Sequence, residues 1–216
     1  MDATGRTPYF PAREPAGPTE PMSEATPDFT ATCIVCDNVF TPAELERIER
    51  HGDSLVQQEA VLAGEGWADQ AGEAARIRIT RTAAMAPTPD IRWLYDRMQS
   101  VIRKVNQQVY KFDLSGFAEN FQYTVYHGSE GGHYDWHIDW GLKQVQRKLS
   151  ASLQLTDPSC YEGCDLQFHG VRQIEPAPRD RGAVIVFPSF IQHRVTPCIK
   201  GTRKAVVIWT AGPPFR

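Results

Sequence analysis

His133-Tyr134-Asp135-Trp136-His137-Ile138-Asp139 sets two histidines and two aspartates at alternate positions. In an extended strand alternate side chains share a face, so the stretch predicts a strand carrying a row of metal-binding groups. From Phe117 onward the chain reads as further short strands separated by turn residues, at 117–126, 133–140, 148–155, 165–168, 183–187, 193–196 and 204–210. Ahead of them lie helical patterns. Thr41-Pro42-Ala43-Glu44 supplies a cap, a proline at the first helical position and a reciprocal glutamate, with Leu45, Ile48 and Leu55 facing inward. Thr88 and Pro89 mark a second start, after which Ile91, Leu94, Tyr95, Met98, Val101, Ile102 and Val105 recur at helical spacing as a core-facing stripe. Helices first and strands after predict a mainly β fold with supporting helices outside a β-sandwich, a jelly roll.

Composition narrows the rest. At 216 residues and 41% hydrophobic content the chain supports one well-filled core and hence one domain. Residues 1–28 carry Pro8, Pro11, Pro15, Pro18, Pro21 and Pro27 and read as a flexible lead-in, so the domain is expected over 29–216, with helical support at 29–116 and the jelly roll at 117–212. Residues 64–72 read as a glycine-rich loop, and Arg76-Ile77-Arg78-Ile79-Thr80 as a half-buried strand. A net charge of −3 argues against a nucleic-acid partner. The longest apolar runs, such as Ala183-Val184-Ile185-Val186-Phe187, fall short of the roughly 20 residues of a membrane helix. Five cysteines without a secretory start predict no disulfide framework and a cytoplasmic protein.

The chemistry lies in the histidines. His193 offers a third ligand, and Arg203 follows ten residues later. Two imidazoles and a carboxylate on one face of an ion suit non-haem Fe(II), because they leave the other face for a cosubstrate and oxygen. Spacing alone does not choose between His133/Asp135 and His137/Asp139. Other motifs carry less. Cys33 and Cys36 have no second pair at zinc spacing, and they, Cys160 and Cys164 read as buried thiols. Gly128, Gly131 and Gly132 read as a turn, His51, His127 and His169 as structural or exposed, and Arg147 with Lys148 as a solvated strand end.

Tyr126, Gly132, Tyr134, His137, Asp139, Arg147, Tyr161-Glu162-Gly163, Phe187-Pro188, His193 to Pro197, Gly201, Arg203 and Trp209 form an ordered series. Over residues 117–212 it resembles the prolyl 4-hydroxylase-like Fe(II)/2-oxoglutarate dioxygenases, and within them the bacterial PKHD-type hydroxylases. The resemblance implies a double-stranded β-helix, His137, Asp139 and His193 as iron ligands, and Arg203 on the far carboxylate of 2-oxoglutarate. It adds Tyr126 and Gln154 as cosubstrate contacts and Trp209 near the metal. Gln122, on the strand face of Tyr126, is expected to line the substrate pocket, and Asp135 to orient a ligand histidine, to line that pocket or, with His133, simply to lie at the surface.

The activity so implied is hydroxylation of an unactivated C–H bond, with succinate and CO2 as coproducts. It requires Fe(II), 2-oxoglutarate and O2, with ascorbate to keep the iron reduced. Related halogenases lose the carboxylate that Asp139 supplies here. The expected substrate is a small molecule or a peptidyl residue, prolyl among them, and the expected assembly a monomer or homodimer. Specificity is expected in loops 64–75 and 156–164. Two other classes share the metal pattern: a jelly-roll sensor, and a cupin-type hydrolase or isomerase, in which Arg203 has no evident role.

Overall fold

The computed structural model describes residues 32–60, 77–117, 119–139, 146–170 and 173–214. The proline-bearing lead-in and the loop at 64–72 lie outside them. Two antiparallel sheets make the body. The larger runs in the order β1 (Ile34–Cys36), β11 (Val184–Pro188), β7 (Arg147–Gln154), β13 (Cys198–Ala211), β5 (Phe121–His127), β4 (Arg81–Met85) and β2 (Gln58–Glu59), with β8 (Tyr161–Gly163) also on β13. The smaller runs β10 (Ile174–Pro176), β9 (Leu166–His169), β12 (His193–Val195), β6 (His133–His137) and β3 (Arg78–Ile79).

The pleat of the larger sheet sorts its side chains into two cores. Tyr123, Val125, Leu149, Ala151, Leu153, Val184, Val186, Val206 and Ile208 point outward, onto Leu45 and Ile48 of α1 (Pro42–Ser54) and Leu94, Tyr95, Met98 and Ile102 of α2 (Arg92–Val105). The alternate residues Tyr126, Ile185 and Phe187 point inward, against Leu166, Phe168 and Val195 of the smaller sheet. This second core is the sandwich interior. Each fully buried side chain of this size contributes roughly 1.5–3 kcal/mol, and the helices thereby free the inner face for chemistry.

Local signals mostly behave as the sequence predicts. Thr41 and Glu44 form the capping box, and Pro42 opens α1. The second helix begins at Arg92, later than Thr88 and Pro89, because those residues lie in a turn and Ile91 caps without a side-chain bond. Strand β13 is longer than the predicted 204–210, since its first residues pair with β8.

That pairing also holds a surprise. Cys164, read as a buried thiol, forms a disulfide with Cys198, a residue 34 positions away that only the β8–β13 ladder brings near. Cys33 and Cys36 are free, as read, with the Cys33 thiol pushed up to about 11 by burial and by Glu175. Gly201 sits at φ +72°, and a Cβ there would lie 2.0 Å from the Cys160 carbonyl oxygen. Gly201→Ala is therefore expected to cost about 2–4 kcal/mol. Thermal unfolding by circular dichroism should show Tm falling by roughly 5–15 °C, and an unchanged Tm would contradict the assigned turn.

Candidate metal centre

Strands β6 and β12 run side by side at the barrel mouth, and a bulge decides which groups of β6 face inward. His193 pairs with His137, but Val195 pairs with Tyr134, so β6 spends one more residue than β12 over the same span. An inserted residue breaks the two-residue alternation. Tyr134 and His137 accordingly share the inner face, their rings stacked at 3.5 Å and 13°. The expectation that His133, Asp135, His137 and Asp139 form one row is thus corrected. His133 turns to the Gly131 carbonyl, and Asp135 is exposed, its carboxylate accepting from the backbone N–H of Trp136.

His137, Asp139 and His193 converge, each offering a ligand atom within 4.8 Å of the others. His137 Nε2 lies 3.8 Å from Asp139 Oδ1 and His193 Nε2 lies 3.5 Å from Asp139 Oδ2. Both imidazoles are oriented the same way. His137 Nδ1 bonds the Asp135 carbonyl at 2.7 Å, and His193 Nδ1 bonds the Ile191 carbonyl at 2.8 Å. A proton on each Nδ1 leaves each Nε2 lone pair directed at the cluster. Asp135 therefore does hold a histidine, through its backbone oxygen and not its carboxylate.

Asp139 is 6% exposed, yet its carboxyl is held below the ordinary carboxylate range. Burial opposes this shift, but His193, His137, the Ser150 hydroxyl and the Trp209 indole outweigh it. Ser150 Oγ donates to Asp139 Oδ2 at 2.7 Å, and the Asp139 N–H donates to the Ser189 carbonyl at 2.8 Å. Burial, then His193, pushes His137 down to about 3, so it is neutral near pH 7 and free to donate its lone pair. Two imidazole nitrogens and one anionic carboxylate fit a divalent ion of Fe(II) type.

Arg203 is 3% exposed on the inner face, and no carboxylate among the described residues pairs with it. Its Nε and Nη2 donate to Gln154 Oε1 at 3.2 and 2.8 Å, and Gln154 Nε2 in turn donates to Ser152. Gln154 is thus placed to aim the guanidinium, and one of the two N–H groups of its amide is taken by Ser152. Tyr126 lies beneath, its ring centroid 5.6 Å from the guanidinium carbon. A buried cation without a counter-ion costs several kcal/mol, and a carboxylate ligand would offset that cost.

Arg147, read as a solvated strand end, is instead largely buried. It grips Glu119 with two bonds at 2.6 and 2.7 Å and stacks on Trp209 at 3.8 Å. Lys148 is buried too. Trp209 Nε1 is buried near the Asp139 carboxylate and favours its ionised form, but it makes no hydrogen bond of good geometry among the described residues. Gln122 accepts from Arg78 Nη2 at 3.2 Å. The sequence reading missed Ser150, Ser189 and Arg78. For Ser150 a signal existed: Ser150, Ser152 and Gln154 alternate with Leu149, Ala151 and Leu153, a polar inner face.

Residues 121–211 match the model of the 2OG-Fe(II) oxygenase superfamily. A PKHD-type hydroxylase of Pseudomonas putida is 35% identical over 91 residues, or 38% of this chain and 39% of the relative. The chain thus spans about two fifths of the length of the curated relatives it matches at that level. A PKHD-type hydroxylase of Hyphomonas neptunium is 25% identical over 170 residues, 74% of each chain. In fold the chain is similar to a prolyl hydroxylase from Trichoplax adhaerens, solved in complex with a hypoxia inducible factor oxygen degradation domain peptide fragment. That likeness has a TM-score of 0.67 at 18% identity and covers 84% of each chain.

Proposed function

Residues 121–211 belong to the 2OG-Fe(II) oxygenase superfamily, and on that premise we propose that this chain is an Fe(II)- and 2-oxoglutarate-dependent hydroxylase acting on an unactivated C–H bond of a small molecule or peptidyl residue. The observation that carries the reading is one interior holding both a His137–Asp139–His193 cluster and a buried Arg203 that no acid among the described residues pairs with. When bound, the iron supplies dioxygen activation coupled to oxidative decarboxylation of 2-oxoglutarate to succinate and CO2.

The residues divide the remaining work. His137, Asp139 and His193 would hold the metal, and the carbonyls of residues 135 and 191 keep the imidazoles turned toward it. Ser150 donates to Asp139 Oδ2 and would help to hold the carboxylate beside the two imidazoles. Arg203, aimed by Gln154, would take the far carboxylate of 2-oxoglutarate, since its planar fork matches two carboxylate oxygens. Phe168 and Phe187 wall the site beside His193 and keep water from it. Peptidyl proline remains within the proposed substrate range. The free thiols Cys33, Cys36 and Cys160 support the cytoplasm as the proposed compartment, although the buried Cys164–Cys198 bond would have to persist there. Among the described residues no helix is long and apolar enough to cross a membrane.

Anaerobic titration of the protein with Fe(II) and 2-oxoglutarate tests the proposal. A weak visible charge-transfer band should grow to one equivalent, and admitting oxygen should release succinate. A protein that binds Fe(II) without developing the band would be a metal-binding jelly roll and not this enzyme.

A further inference from the structure

The inner face holds a second guanidinium that has no acid partner among the described residues. Strand β3 pairs with β6 so that Arg78 stands opposite Tyr134, and cross-strand partners share a face. The Arg78 guanidinium carbon lies 4.4 Å from the Tyr134 ring centroid, while the His137 imidazole stacks on that ring at 3.5 Å. Two planar groups at such distances cannot occupy one side, so Tyr134 is sandwiched between cation and imidazole. Arg78 Nη2 donates to Gln122 Oε1, a neutral acceptor, and Arg78 Nε is buried with no acceptor among the described residues. Among the described residues no carboxylate forms an ion pair with Arg78, whereas Arg147, Arg97, Arg179 and Arg181 each have one.

A half-buried guanidinium held by a ring face and one amide oxygen lacks the bidentate acceptor that its geometry favours. Arg203 already accounts for one diacid end in the proposed reaction, on the opposite sheet. We propose that Arg78, backed by Gln122 and Tyr134, is the carboxylate subsite for the substrate itself, which is therefore a small carboxylic acid. The subsite stands one aromatic ring beyond His137, so the carboxylate is separated by only a few bonds from the carbon that is oxidised. A free amino acid and an acyl amino acid share this chemistry. This inference rests on the active-site reading given above.

The test uses the full chain loaded with Zn(II) and 2-oxoglutarate, which keeps the site filled and diamagnetic. Free amino acids, N-acetyl amino acids and the corresponding N-acetyl primary amides are compared by ligand-observed NMR. Free and acetylated acids separate the two sources of the carboxylate. Wild type should bind at least one acid about tenfold tighter than its amide. Arg78→Gln should abolish that preference while 2-oxoglutarate affinity, measured separately, changes by less than about twofold. Gln122→Glu, which sets a carboxylate against Arg78 with little change of shape, should abolish it as well and carries the test should Arg78→Gln not fold. Acids and amides binding alike in wild type, no ligand of the panel binding, or a preference that survives both substitutions would each overturn the subsite. Failure of wild type to bind 2-oxoglutarate would instead overturn the enzymatic reading on which it stands.

Discussion

Asp139→Ala is expected to lower Fe(II) affinity by about 100-fold or more and to abolish succinate release. Asp139 is the one anionic member of the cluster, and its oxygens lie 3.8 and 3.5 Å from the two imidazole Nε2 atoms. Alanine leaves two neutral donors for a divalent ion. The fold should tolerate the change. Ser150 loses its bond to Oδ2 but retains Ser189 Oγ as an acceptor at 3.0 Å, and removing a buried carboxylate also removes its desolvation cost. Competition against a chelator of known affinity, with Tm recorded for the metal-free protein, separates the two effects. Wild-type Fe(II) affinity in Asp139→Ala would exclude this carboxylate as a ligand.

Arg203→Ala should raise the Kd for 2-oxoglutarate by about 100- to 1000-fold, the equivalent of roughly 3–4 kcal/mol. The guanidinium is buried, already oriented by two bonds to Gln154 Oε1, and without an acid among the described residues. Its pairing with a ligand carboxylate therefore replaces no existing ion pair. Metal affinity should be unchanged. The apo protein should lose little stability, because the orphaned Gln154 oxygen costs about 1–3 kcal/mol while loss of an uncompensated buried charge acts in the opposite direction. Arg203→Lys should recover only part of the affinity, since an ammonium lacks the planar fork. Anaerobic titration of the charge-transfer band gives the Kd directly. An alanine variant that binds 2-oxoglutarate like wild type would move the anchor elsewhere.

The helical support was legible residue by residue: Thr41 through Glu44 capped a helix as written, and the stripe from Leu94 to Val105 packed as written. The cores of β5, β6, β7, β9, β11 and β12 were legible to within a few residues, because β-branched and aromatic runs between turn residues act locally, whereas β2, β4, β8, β10 and the first residues of β13 were not, since they are strands only through their pairing. The row of four ligands along 133–139 was not, since strict alternation holds only in an unbulged strand. Arg147 was misread for a related reason. At the end of a strand it appears solvated, and Glu119 and Trp209 reach it from elsewhere in the chain.

By itself the sequence determined a mainly β architecture with supporting helices, two candidate histidine–aspartate pairs with His193 as a third donor, and a guanidinium ten residues past His193, because periodicity, capping and donor chemistry are properties of residues and their near neighbours. Only the tertiary structure decided which donors meet. The extra residue in β6 turned His133 and Asp135 away, the β8–β13 ladder joined Cys164 to Cys198, and the packing of two sheets placed Arg78 and Arg203 on the inner face with no acid partner among the described residues. Those outcomes depend on register between strands and on how much water each cation loses, and both are set by segments distant in the chain.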